Sequence, residues 1–205
     1  MSIEPSGFFD RRHAATDRAA IVVVPPRRLF AIDGVGTPSA AGFQIAAASL
    51  RAVAENLRRR LRARGVDEPR AVIECAWWTH PELSFPELAE AFEDRSTWHW
   101  QQMIEIPARA SDEEAASAID EARRSAGRAA PLVHIVELTE GPAAQILHVG
   151  RAEEESAAVR KLWGLVQEAG LQPRGHLHEL LLVEPRQARD GRGRSILRLP
   201  VEPQA

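Results

Sequence analysis

The feature that most constrains this 205-residue chain is an internal repeat. Two segments carry an apolar stripe at three- and four-residue steps, the mark of a helix with one buried face. The first stripe is Ala46, Leu50, Val53, Ala54, Leu57 and Leu61; the second is Ala158, Leu162, Leu165, Val166 and Ala169. Each ends at a glycine, Gly65 or Gly170, the residue that most readily takes the left-handed turn closing a helix. The following residues also correspond. "GVDEPRAVIE" lies without gaps on "GLQPRGHLHE", which sets Glu74 against Glu179, and "MIEIP" resembles "ILRLP", with Pro107 and Pro200 in the same place. Each half reads strand–helix–strand–strand. Two halves predict an α+β fold with tandem pseudo-symmetric repeats, an antiparallel sheet and two long helices on one side.

The periodicities place a first strand near 27–34, a helix over about 41–64, and a strand in "RAVIECAWWT". "PELSFPELAEAFED" reads as a Pro-punctuated loop with a turn or two of helix, and "TWHWQQMIEIP" as a strand. Ser111 with Glu114 forms a capping box that opens a helix to about Ala126. "GRAAP" reads as a linker. The second half gives two strands around a Gly-Pro turn in "PLVHIVELTEGPAAQILHVG", a helix over 153–169, a strand in "HLHELLLVEP" and a closing strand in "SILRLPV". Residues 1–20 are expected to be a flexible lead-in. Residues 21–205 form one domain, with halves 21–110 and 131–203 and a linker helix 111–126.

Several function classes are disfavoured. Lys plus Arg number 26 and Asp plus Glu 29, a net charge of −3 that offers no field for nucleic acid. No run approaches the roughly 18 apolar residues of a membrane span, and the N-terminus lacks the apolar core of a signal peptide. The single cysteine, Cys75, has no internal disulfide partner, which fits a cytoplasmic protein. "DGVG" at 33–36 lacks the full dinucleotide fingerprint, so its glycines read as a turn.

Two carboxylates stand out because each interrupts an apolar strand. Alternation puts Val72, Glu74, Ala76 and Trp78 on one face, and Leu177, Glu179, Leu181 and Val183 on one face. If the halves meet about a two-fold axis, both acids line one cavity. Apolar surroundings raise a carboxyl pKa, and a neighbouring carboxylate raises one of the two further, giving an acid and a base together. The alternative is that each Glu is a structural ion-pair partner, to Arg198 or Arg70 for example. Four of the five tryptophans, Trp77, Trp78, Trp98 and Trp100, lie within 24 residues. They are candidate ligand walls, with Trp78 preferred over Trp77 because it shares the face of Glu74. They are equally candidates for a Trp-rich core. His176 and His178 are two residues apart on one strand face, but no third ligand is specified, so no metal is expected.

These pieces, "FAIDGVGTPS", "IECAWW", "WHWQQMIEIP", "AAQILHVG", "GHLHELLLVEPR" and "ILRLPV", resemble in order and spacing the standalone GyrI-like small-molecule-binding proteins over roughly residues 21–201. The resemblance implies a tandem repeat closing over a central ligand pocket, with Glu179 at its base. Relatives include ligand-sensing domains of multidrug-responsive regulators, but this chain shows no signature of a helix-turn-helix domain. Some standalone relatives are similar to hydrolases that open the cyclopropane of DNA-alkylating cyclopropanoid compounds of the yatakemycin and duocarmycin type. The expectation is therefore a cofactor-independent hydrolase acting on a lipophilic planar substrate, with Glu74 and Glu179 catalytic. Trp77, Trp78, Trp98, Trp100, His148, Leu181 and Phe30 would bind the substrate. The alternatives are a protein that sequesters or senses lipophilic cations without chemistry, and a protein-interaction module acting on gyrase. The family often carries tyrosines where this chain has Ala152 and Leu181, so the pocket is expected to be less polar.

Overall fold

The computed structural model describes residues 14–81, 83–91, 94–126, 132–150, 154–183, 188, 190 and 192–204. In chain order the elements are β1 (Ala20–Val24), β2 (Arg27–Val35), α1 (Ala41–Ala63), β3 (Ile73–Trp78), α2 (Phe85–Glu90), β4 (His99–Glu105) and α3 (Asp112–Ala126). Then follow β5 (His134–Leu138), β6 (Gly141–Gly150), α4 (Glu155–Glu168), β7 (Leu171–Pro173), β8 (Leu177–Val183) and β9 (Gly193–Pro203). The proposed "GRAAP" linker and most of the lead-in, residues 1–13, lie outside the described residues. Residues 14–16 run beside β6, where Leu147 N–H donates to Thr16 O and Gln145 Nε2 to Ala14 O.

The two helix stops behave as their glycines require. Gly65 has φ +82° and Gly170 φ +65°, conformations that strain any residue with a Cβ. Val66 N–H returns to Leu61 O and Gly65 N–H to Arg62 O, which satisfies carbonyls left open at the end of α1. Ser111 and Glu114 form the expected capping box, each side chain accepting from the other's backbone N–H.

All strand pairs are antiparallel, in the order β1-β6-β9-β8-β3-β4-β2-β5, with β7 added on β9. The order is symmetric about the β3–β8 seam, so the repeat is a pseudo-two-fold. Two strands go beyond the sequence reading. β1 occupies the "IVVV" run that Pro25 and Pro26 interrupt, and β7 is three residues long. An edge strand needs a bonded neighbour on one side only, so the prolines terminate β1 without preventing it.

The connections force the sheet to curl. β1 and β2 are joined by two residues, yet β1 is one edge of the sheet and β2 lies next to the other. β5 and β6 have the same relation, so they flank the Gly-Pro turn without pairing with each other. A two-residue link reaches only about 10 Å, so the two margins come together and the sheet's inner face is enclosed. Its outer face carries the helices, α1 against β2 and β4, and α4 against β6 and β9. Among the described residues no helix packs on the central pair β3–β8 to the same extent, which leaves a cleft between α1 and α4 over that pair.

Strand register fixes three rows across the helix-bearing face. The first is His148, Ser195, Leu181, Ile73, Ile104 and Phe30; the second is Ile146, Leu197, Glu179, Cys75, Gln102 and Ile32. The third contains Leu177, Trp77, Trp100 and Gly34. Gly34 is needed because the Trp100 indole lies across it. A Cβ at Gly34 would come within 2.2 Å of the ring. Gly34→Ala is expected to displace Trp100 and cost about 1–3 kcal/mol, read as a lower urea midpoint at unchanged slope.

Candidate functional site

The cleft between α1 and α4 is built around Glu179. Trp77 lies one row away on the facing strand and donates its Nε1–H to Glu179 Oε2 at 3.0 Å. Arg95 reaches in from the turn before β4 and donates through Nη1 to the same oxygen at 3.2 Å. Its Nη2 meets Glu155 Oε2, from the first turn of α4, at 2.6 Å. Ser195 Oγ donates to Glu155 Oε1 at 3.3 Å. The Arg95 guanidinium lies 4.7 Å from the Trp77 ring centroid and 5.8 Å from that of Trp98. Phe43 of α1 stacks on the other indole neighbours, at 5.5 Å and 12° from Trp77 and edge-on to Trp100 at 5.1 Å. Gln102 secures this end of α1 by donating Nε2–H to Phe43 O at 2.9 Å.

Most of this cluster is dry, but the Glu179 side chain keeps 15% of its surface exposed while those of Arg95 and Glu155 keep 5% and 3%. One row away from Glu179, on the α1 side, is a cavity of about 460 Å³ with Phe30, Leu57, Ile73, Ile104 and Leu181 on its wall and the charged residues Arg51, Glu55, Arg58, Glu68, Arg70 and Glu105 around them. That volume, with apolar residues and a few charged groups on the wall, suits a multi-ring ligand.

Burial, then the charge of Glu179, pushes the Glu155 carboxyl well above the usual carboxylate range. Arg95 is held firmly charged: burial works against it, and Glu179 and Glu155 more than compensate. Burial also pushes the Cys75 thiol well up, with Glu179 adding to the effect, so Cys75 is a poor nucleophile. The sign for Glu155 is definite. A raised folded-state carboxyl contributes stability that is complete below its unfolded value of about 4.3 and is lost as pH rises through the folded value. Glu155→Gln is therefore expected to flatten the decline in unfolding free energy as pH rises above about 4.3, measured by urea titration.

The expectation that Glu74 and Glu179 share a chamber is not met. β3 and β8 pair with Cys75 across from Glu179 and Leu180 across from Glu74, so the two acids lie on opposite faces. The sequence offset of 105 is one residue off the sheet's symmetry, and in a strand a one-residue slip exchanges faces. Glu74 points into the curled sheet. There it takes a bidentate pair from Arg27, at 2.8 and 3.0 Å, and lies 2.6 Å from His178 Nδ1. Arg27 also donates to Glu140, on the β5–β6 link, and Arg198 lies 3.5 Å from Glu140. Burial alone would raise the Glu74 carboxyl, but the His178 hydrogen bond and the Arg27 charge hold it well below the usual range. The alternative weighed for Glu74, an ion pair, is what this face contains, with Arg27 rather than Arg198 or Arg70 as partner.

The remaining expected residues divide between the faces. Trp77, Trp100, His148, Leu181 and Phe30 are on the helix-bearing face with Glu179, and Leu181 and Phe30 line the cavity. Trp98 packs edge-on to Trp77 at 6.4 Å. Trp78, preferred over Trp77 from sequence, is on the other face, stacked between His176 at 4.6 Å and His99 at 5.8 Å. That preference followed from Glu74 and falls with it. His176 and His178 do not act as a pair, since one stacks on Trp78 and the other meets Glu74. Among the described residues, Glu74, Glu140 and His178 form a group with ligand atoms within 4.8 Å of one another. The Arg27 guanidinium already bonds both of its carboxylates, which is the role a cation would fill. Ala152, one of the tyrosine replacements, lies outside the described residues. Sequence reasoning missed Arg95 and Glu155. Glu155 stood in an acidic first turn that serves the helix dipole equally well, and "EDRS" carries no pattern that points inward.

A curled sheet with two flanking helices and a partly exposed carboxylate beside a cavity is an architecture suited to holding a small molecule. The chain belongs to the GyrI-like small molecule binding domain family, whose model matches residues 19–202. An uncharacterized conserved protein from Listeria innocua is 26% identical with a TM-score of 0.80, covering 94% of this chain and 96% of that one. A hydrolase from Listeria innocua is 25% identical with a TM-score of 0.75, covering 94% and 95%. The C-terminal domain of EcmrR, 9% identical at a TM-score of 0.56 over 91% and 98%, shares the fold alone. No curated protein matches the sequence. No helix among the described residues is long and apolar enough to cross a membrane.

Proposed function

We propose that the protein is a cofactor-independent hydrolase that adds water across the cyclopropane of a lipophilic, planar, DNA-alkylating substrate in the cytoplasm and so protects the cell. The observation that carries this reading is Glu179: a partly exposed carboxylate, held by Trp77 and Arg95 beside a cavity of about 460 Å³. Likeness to a hydrolase over nearly the whole chain supports it.

The substrate is a spirocyclopropyl dienone whose rings lie in the cavity against Leu181, Ile73 and Phe30. Glu179 takes a proton from water as the water oxygen bonds to the cyclopropane methylene carbon. The strained C–C bond breaks, and its electron pair passes through the ring to the dienone oxygen. A proton returns to that oxygen to give a phenol, so the net change is one added water. Glu155, with its raised affinity for a proton, and the Arg95 charge provide for proton return and stabilise the developing phenolate. Glu74 has no step in this scheme, which departs from the two-glutamate expectation.

Incubation with such a dienone followed by mass spectrometry tests the reading. A product heavier by one water, formed faster than in buffer, is expected; unchanged mass at stoichiometric enzyme would overturn it. The sequestration alternative, with a cationic ligand paired to the pocket acid, has less support because Arg95 already occupies that role.

A further inference from the structure

We infer that Arg95 sets the ligand charge the cleft accepts, acting as a built-in counter-ion that makes the site select neutral planar molecules and exclude lipophilic cations. The inference rests on the cleft at Glu179 being the ligand site, as in the proposed function, but not on any reaction there.

A lipophilic cation needs two things from a protein: aromatic faces within about 6 Å and a desolvated carboxylate. The cleft supplies both, and Arg95 has taken both. Its guanidinium lies over Trp77 and near Trp98, and its two terminal nitrogens reach Glu179 and Glu155. Only 5% of its side-chain surface is exposed, so this is a packed position rather than a surface arm folding over. The backbone holds it there. Asp94 Oδ1 accepts from Ser96 N–H, Trp98 N–H returns to Arg95 O, and Gly36 N–H ties Trp98 O to the end of β2. A second cation entering would meet a like charge in a low-dielectric site and would find the carboxylates engaged. A neutral ring system meets no such penalty and can occupy the neighbouring cavity, where the charges of Glu55, Glu68 and Glu105 are matched in number by Arg51, Arg58 and Arg70.

Removing the guanidinium leaves two acids, the buried Glu155 and the partly exposed Glu179, beside two indoles. That arrangement favours a cation. Arg95 is therefore a specificity-determining residue, and its loss should reverse the preference rather than merely weaken binding.

Two fluorescent probes with one three-ring frame test this: acridone, which is neutral, and proflavine, a cation near neutral pH. Each is titrated into the purified full chain. Wild type is expected to bind acridone and to bind proflavine at least about tenfold more weakly. Arg95→Met should gain about tenfold or more for proflavine, a change of the size expected for an unscreened opposite charge at an aromatic site. Arg95→Lys should keep the wild-type order, and Arg95→Met/Glu179→Gln should lose the gain. Arg95→Gln, closer in shape, serves if the Met variant does not fold. A folded Arg95→Met or Arg95→Gln that binds proflavine no more tightly than wild type overturns the inference. The readouts are separable. Reversal of charge preference without turnover in wild type keeps this inference and removes the hydrolase; turnover without reversal does the opposite. Failure of every variant and wild type to bind acridone overturns the ligand site itself, and both with it.

Discussion

Glu179→Gln is expected to slow hydration of a spirocyclopropyl dienone by roughly 10²- to 10⁴-fold, the range for loss of a general base, while leaving the fold intact. The substitution keeps the shape that accepts from Trp77 Nε1 and Arg95 Nη1 but removes the basic oxygen. Stability should move little, because the side chain is partly exposed. Single-turnover rates from mass spectrometry, alongside a thermal melt, separate the two effects. If Glu179→Gln turned over at the wild-type rate, Glu179 would be a structural acceptor and the base would have to be elsewhere.

Glu74→Ala should do the reverse, lowering stability by about 3–5 kcal/mol, the cost of breaking a buried ion pair on one side. Its removal leaves Arg27 and His178 buried without their shared carboxylate at the place where the two sheet margins meet. Glu74→Gln keeps the volume and should retain much of the wild-type rate per folded molecule. The pH dependence has a definite sign. A depressed carboxyl contributes stability that is complete above its unfolded value of about 4.3 and is lost as pH falls through the lower folded value. Wild type should therefore lose stability with acid below about pH 4.3 more steeply than Glu74→Gln. Urea titrations across that window test this, and parallel curves for the two proteins would contradict the assignment.

The contrast between these two acids shows what sequence could convey. Helix periodicity and the paired glycines made α1, α4 and their ends legible, because both are local properties of the chain. Alternation grouped Leu177, Glu179 and Leu181 correctly, and separately Glu74, Ala76 and Trp78. It could not say which group faced which, because that depends on the register across the β3–β8 seam. Alignment on Gly65 and Gly170 is offset by one residue from that register, since β7 and the turn after it do not match the corresponding stretch before β3. The inward placement of Arg95 was hidden for a related reason. The Arg95 side chain is aimed by its hydrogen bonds to Glu179 on β8 and Glu155 on α4, and no periodicity records them.

The central claim is that ligand chemistry occurs in the cleft between α1 and α4 and that the opposite face of the sheet is structural. A crystal structure of Glu179→Gln soaked with unreacted dienone tests it most directly. The ring system is expected in the cavity against Leu181, Ile73 and Phe30, with its cyclopropane toward residue 179. Density for the compound beside Trp78 and His176, with the cleft unchanged, would contradict it.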